Sequence, residues 1–128
     1  MRKLITAIFL LSFITNTMMA QSNTTEGKWL RHVVLFKFKE GTSAADIKKV
    51  EDAFRALPSK IREIRAFEWG INNSPEKLNQ EYTHCFFVSF NSEKDREVYL
   101  PHPDHLAFVE ILKPHLDKVL VIDYWAGK

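Results

Sequence analysis

The sequence contains very little cysteine and glycine. Cys85 is the single cysteine in 128 residues, so an intrachain disulfide is impossible. Its neighbour His84 does not pair with it, because adjacent residues of a strand point to opposite faces of a sheet. We interpret Cys85 as a buried, inert thiol. The four glycines are scattered and form no phosphate-binding loop. No Ser-His-Asp or Cys-His pattern indicates nucleophilic catalysis.

Long apolar runs are absent except at the N-terminus. Arg2 and Lys3 precede an almost unbroken apolar stretch from Leu4 to Phe13, and Ala20 precedes a plausible cleavage point. This layout is typical of a secretory signal peptide. An uncleaved anchor is the alternative, although the stretch is short for a bilayer span of about 20 residues. We predict a signal peptide over residues 1–20, a linker over 21–28 and one domain over 29–127.

The charge balance depends on this N-terminal segment. The full chain has 18 Lys and Arg against 16 Asp and Glu, and the segment contributes Arg2 and Lys3 but no acid. The mature chain is therefore formally neutral, which does not favour a nucleic-acid partner. We expect an exported protein, periplasmic or extracellular, without a membrane partner after signal cleavage.

Hydrophobic periodicity predicts an α+β domain. Alternating patterns predict strands over 29–39, 64–71, 82–90 and 118–125. Helical spacing predicts one helix from Ser43, with Asp46 in a capping box, to Leu57 before Pro58. A second helical region runs from Ser92 to Pro114 and is broken at a proline-rich bend. The order β-α-β-β-α-β matches a ferredoxin-like antiparallel sheet with its helices on one face.

The other face of this sheet is also predicted to be apolar. We name it the open face, and its side chains are Val33, Leu35, Cys85, Phe87, Leu120 and Ile122. A large exposed apolar surface is typical of an interaction site. Packing against the same face of a second copy would bury it, so we expect a homodimer.

The bend from Tyr99 to His105 concentrates the titratable groups that chemistry would use. It holds two of the five histidines and two of the five prolines. His105 is the candidate general base, since an ordinary imidazole titrates near ~6.5. Tyr99 is the candidate hydrogen-bond donor to an oxyanion. This pair suits proton abstraction next to a carbonyl and requires no cofactor. His102 is expected to cap the helix that follows.

We predict a half-buried pocket for a small apolar or aromatic molecule beneath the bend. His32 and His84 are expected to lie together at one end of this space, with Asp123 orienting one of them. The apolar lining is predicted to be Phe36, Phe54, Phe86, Val88, Phe108 and Trp125.

Four segments resemble the stress-responsive A/B barrel (Dabb) family. They are the stretches 32–39, 82–90, 99–105 and 121–124, in the family's order and spacing. The resemblance implies a dimeric α+β barrel. The family includes stress-associated proteins and a plant polyketide cyclase in which a histidine and a tyrosine carry catalysis, and these match His105 and Tyr99. His32, His84 and Asp123 match polar residues near the same pocket. A departure lies in the first helix, where Val50 and Glu51 replace two aromatic residues of the cyclase.

The same residues are also compatible with other roles. Tyr99 and His105 are compatible with purely structural roles, and His32, His84 and Asp123 with a buried polar cluster. A non-catalytic binding module and a stress-associated structural or assembly protein are therefore alternatives to an enzyme. A metal held by His102, Asp104 and His105 is a further alternative that Pro103 disfavours geometrically. We predict no metal and no cofactor.

Overall fold

A computed structural model of the chain describes residues 28–127. The predicted signal peptide and most of the predicted linker lie outside the described residues. Four strands and three helices alternate in the order that the sequence predicts. They are β1 (Leu30–Phe38), α1 (Ala44–Lys60), β2 (Ala66–Ile71), β3 (His84–Phe90), α2 (Glu93–Tyr99), α3 (Pro103–Leu112) and β4 (Leu116–Trp125).

The strands form one antiparallel sheet in the order β2-β3-β1-β4. β1 is central and pairs with both β3 and β4, so it aligns residues from three strands in rows. His32 stands between Val88 and Asp123 in one row. Phe36 stands between His84 and Val119 in another. The ferredoxin-like fold predicted from the sequence is confirmed.

Each helix begins at a side-chain cap. The Ser43 hydroxyl accepts from the backbone N–H of Asp46 at 3.1 Å, as the capping pattern predicts. Ser92 accepts from the N–H of Asp95 at 3.1 Å. His102 caps α3 through Nδ1, which accepts from the N–H of Asp104 at 3.2 Å, so its predicted capping role is confirmed.

The expectation that Pro58 ends the first helix is wrong. Helix α1 continues to Lys60, with Pro58 in its last turn. The N–H of Ile61 closes the helix on the carbonyl of Leu57 at 2.9 Å. Pro58 lacks the N–H that would bond to the carbonyl of Phe54, but the chain keeps helical geometry to Lys60, and the N–H of Ile61 still bonds one turn back.

The hydrophobic core fills the space between the helices and one face of the sheet. It is rich in phenylalanine and includes Phe36, Phe54, Phe86, Phe90 and Phe108, all buried. The open face carries two aligned apolar rows, Phe87-Val33-Ile122 and Cys85-Leu35-Leu120. Both faces of β4 are widely exposed in a single chain, with Val121 49% and Ile122 50% accessible. The predicted apolar second face is therefore present.

Within residues 28–127, no helix is long and apolar enough to span a bilayer.

Candidate functional site

The proline bend joins two short helices and presents one functional side chain from each. Tyr99 is the last residue of α2, and His105 is the third residue of α3. Pro101 lies between the helices and Pro103 opens α3, where a missing N–H costs nothing. The bend therefore folds α3 back so that the rings of Tyr99 and His105 lie 4.4 Å apart.

Tyr99 is completely buried beneath the bend. Its ring packs edge-on against His32, with the ring centroids 5.8 Å apart, and at a tilt against Phe90, with the centroids 5.1 Å apart. Its hydroxyl has no hydrogen-bond partner among the described residues. Burial raises the pKa of the Tyr99 phenol above its ordinary value, so the hydroxyl keeps its proton at neutral pH. Tyr99 is thus a hydrogen-bond donor held in an apolar environment.

The tautomer of His105 follows from its backbone contact. Nδ1 lies 2.8 Å from the carbonyl oxygen of Leu100, and a carbonyl can only accept, so Nδ1 donates. In the neutral ring Nε2 then carries the lone pair. Burial lowers the pKa of His105, and the nearby His32 and His102 lower it further, against the raising effect of the Leu100 hydrogen bond. The lone pair on Nε2 of the neutral ring can accept a proton, so His105 is suited to act as a base.

His32 is held by a carboxylate on the neighbouring strand. Its Nδ1 donates to Asp123 Oδ1 at 2.7 Å, and Arg96 Nη1 donates to Asp123 Oδ2 at 2.6 Å. Asp123 stands directly opposite His32 in the register of β1 and β4. The prediction that Asp123 orients a histidine is thus met at His32. We name Tyr99, His105, His32 and Asp123 the bend cluster.

His84 does not lie with His32, and the expectation that both occupy one end of the space is wrong. His84 pairs in register with Phe36, four residues along β1 from His32, a separation of about 13 Å along the strand. Its Nε2 donates to Glu51 Oε1 at 2.9 Å, and its Nδ1 lies 2.8 Å from the Thr83 hydroxyl. His84 therefore forms a second, separate polar pair with helix α1.

The predicted apolar lining is packed against itself. Phe54 stacks on Phe86 at 4.3 Å and contacts Phe108 at 4.5 Å, while Phe36 lies 5.2 Å from Phe86. These four rings and Val88 are buried, and Trp125 is partly buried against the same cluster. In the single chain these residues form the core beneath the bend cluster.

A cavity of about 330 Å³ lies at the other end of the sheet. It borders Leu35, Cys85 and His84 and extends under the loop that carries Asn79 and Tyr82. Burial raises the pKa of the Cys85 thiol, which is partly exposed on the open face. Across residues 28–127, no three His, Cys, Asp or Glu side chains converge on a point that could hold a metal.

Two partners of the predicted site residues were missed from the sequence. Arg96 contacts Asp123, and Glu51 contacts His84. Helical spacing gives a signal for each. Arg96 precedes Tyr99 by three residues, and Glu51 precedes the buried Phe54 by three, so each shares a side of its helix with an inward-facing residue.

Comparison with known proteins identifies relatives of the whole domain. Residues 30–126 match the family model described as Stress responsive A/B Barrel Domain. The stress-response A/B barrel domain-containing protein HS1 of Arabidopsis thaliana is 41% identical over 95 residues, which cover 74% of this chain and 87% of HS1. Olivetolic acid cyclase of Cannabis sativa is 25% identical over 99 residues, covering 77% of this chain and 98% of the cyclase.

A protein of known structure has the same fold and is dimeric. A dimeric protein of unknown function with a ferredoxin-like fold, from Bacteroides fragilis, superposes with a TM-score of 0.63 at 29% identity. The match covers 76% of this chain and 95% of that protein. The resemblance noted from four sequence segments is therefore confirmed over nearly the whole described domain.

Proposed function

The chain belongs to the stress-responsive A/B barrel family, which has dimeric ferredoxin-like members. We propose that it is an exported homodimer. We propose further that it binds a small apolar or aromatic carbonyl compound at the bend cluster. The observation that carries this proposal is the Tyr99 hydroxyl, which is buried without a partner among the described residues. A buried polar group without a partner costs ~1–3 kcal/mol, and a ligand oxygen would satisfy it.

The proposed reaction is proton transfer at the carbon next to the carbonyl. His105 Nε2 takes the proton, the electron pair of the C–H bond moves toward the carbonyl oxygen, and an enolate forms. Tyr99 donates a hydrogen bond to that oxygen as its charge develops. The imidazolium of His105 then returns a proton to carbon. These side chains suffice for the step, so it requires no cofactor, and the cyclase relative supports this class of chemistry.

Homodimerisation through the open face is part of the proposal. The rows Phe87-Val33-Ile122 and Cys85-Leu35-Leu120 form one contiguous apolar surface, and a second copy of the same surface would cover both. The dimeric relative from Bacteroides fragilis supports this assembly. Export is proposed from the basic and apolar pattern of residues 1–20 alone.

Deuterium incorporation tests the proposed chemistry. Benzoylacetone, an aromatic diketone with an acidic carbon between its carbonyls, is incubated in D₂O with the mature protein and followed by proton NMR. We expect exchange above the buffer rate, loss of the excess in His105→Asn, and no change in His115→Asn, a histidine outside the bend cluster. An equal rate in all three samples would overturn the proposed chemistry.

A non-catalytic, stress-associated role is the second candidate. The packing of Phe36, Phe54, Phe86 and Phe108 against one another favours it, because these rings leave their space filled in the single chain. The similarity to HS1 also supports this role. Mass spectrometry of small molecules retained by the purified protein separates the two candidates. A ligand lost on Tyr99→Phe supports binding at the bend cluster, and the absence of any retained ligand supports the structural role.

A further inference from the structure

We propose that Arg96 is a positioning residue, which holds Asp123 so that Asp123 fixes the tautomer and orientation of His32 in the bend cluster. The role in ligand binding rests on the function proposed above. The juxtaposition itself does not, because it is built from contacts between residues of the chain.

Arg96 lies where it can connect the two halves of the bend cluster. It precedes Tyr99 by three residues on α2, so the two side chains leave the same side of the helix. Tyr99 points inward against His32, while the Arg96 guanidinium reaches the carboxylate on β4. One turn of α2 therefore supplies both Tyr99 and the guanidinium that holds Asp123 on β4.

Asp123 has two oxygens with two different tasks. Oδ1 accepts from His32 and Oδ2 accepts from Arg96, at 2.7 and 2.6 Å. Hydrogen bonds in which the donor or the acceptor is ionised are shorter and stronger than neutral ones. With both oxygens engaged, the carboxylate cannot rotate without breaking one of these bonds.

The surroundings of Asp123 give it little other restraint. It lies on the edge strand β4, where Val121, its neighbour on the same face, is 49% exposed. Its own side chain is 26% exposed, against 24% for Arg96. A partly exposed ion pair of this kind adds little to global stability. The consequence of the Arg96–Asp123 pair is local, since it selects one rotamer of the partly exposed Asp123 side chain.

The restraint passes to His32 through the choice of ring nitrogen. A carboxylate at Nδ1 keeps the proton on that nitrogen, so Nε2 carries the lone pair in the neutral ring. Without Arg96, Asp123 can turn toward solvent, and His32 loses the partner that selects its tautomer. His32 lies edge-on to Tyr99, so a reoriented ring changes the environment of the unpartnered hydroxyl.

The test measures the His32 tautomer directly in the ligand-free protein. Imidazole ¹⁵N NMR is recorded on wild type, Arg96→Met, Arg96→Lys and the control Lys94→Met, an exposed basic residue of the same helix. We expect the Nδ1–H form of His32 in wild type and in Lys94→Met. Arg96→Met is expected to give a mixture of tautomers at an almost unchanged melting temperature, and Arg96→Lys to restore the Nδ1–H form in part.

A His32 spectrum in Arg96→Met identical to that of the wild type would overturn the proposal and reduce Arg96 to a surface ion pair. The benzoylacetone exchange separates this failure from failure of the proposed function. If wild type exchanges the probe, Arg96→Met should lose part of the exchange above the buffer rate, because His32 packs against the Tyr99 ring. If wild type does not exchange it, a changed His32 tautomer still establishes the positioning role.

Discussion

Replacing Tyr99 with phenylalanine should stabilise the protein while abolishing ligand binding. The hydroxyl is fully buried, and no described residue accepts its proton. A buried polar group without a partner costs ~1–3 kcal/mol, and phenylalanine removes that group while keeping the ring that packs between His32, Phe90 and His105. We therefore expect the free energy of unfolding to rise by about 1–3 kcal/mol.

The assay is thermal and urea unfolding of both proteins at one protomer concentration, because dimerisation makes the midpoint concentration-dependent. A change of 1 kcal/mol shifts the midpoint of a domain this size by ~4–8 °C, so Tyr99→Phe should melt at least ~4 °C higher. Tyr82→Phe is the matched control. Tyr82 is partly exposed in the loop before β3, away from the bend cluster, and a change within ~0.5 kcal/mol is expected there. A Tyr99→Phe protein less stable than wild type would show instead that the hydroxyl has a stabilising partner in the folded protein.

Three further predictions concern pH, assembly and the core. The pKa of His105 is lowered in the folded state from its ordinary value of 6.5. Between these two pKa values the unfolded chain therefore binds more protons than the folded chain. Unfolding free energy should therefore fall as pH drops from about 6.5 through the folded pKa, less steeply in His105→Asn, and equal slopes would contradict this. Ile122→Glu on the open face should weaken the dimer at least about tenfold by sedimentation, costing ~1.4 kcal/mol or more, while Leu78→Glu in an exposed loop should not. Phe54→Ala should cost ~3–5 kcal/mol in urea unfolding because it removes the ring between Phe86 and Phe108, and a loss below ~1 kcal/mol would contradict the packing.

Local sequence patterns predicted the parts of the fold that depend on local geometry. The Ser43 and Asp46 spacing located the start of α1, because a capping hydroxyl reaches only the nearest free N–H groups. The alternation in β1 and β3 predicted which side chains share a face. The bend brings Tyr99 of α2 and His105 of α3 together because only five residues lie between them in the chain.

Cross-strand relations could not be predicted in the same way. Alternation assigns His32 and His84 to the same face, but the register that sets Phe36 opposite His84 depends on how the strands pair. The partner of His84 is Glu51, a residue that the comparison with aromatic positions of the cyclase had marked only as a departure. The end of α1 was also misplaced, because a proline in the last turn removes a single hydrogen bond and the helix continues past it to Lys60.

The place where benzoylacetone binds decides whether the bend cluster is a ligand site. Benzoylacetone is titrated into protein labelled at histidine and tyrosine rings, and the NMR shifts of each ring are followed. Binding at the bend cluster predicts shifts at Tyr99, His105 and His32, with His84 unchanged. Shifts confined to His84, which borders the cavity of about 330 Å³ at the other end of the sheet, would show that the ligand does not bind at the bend cluster.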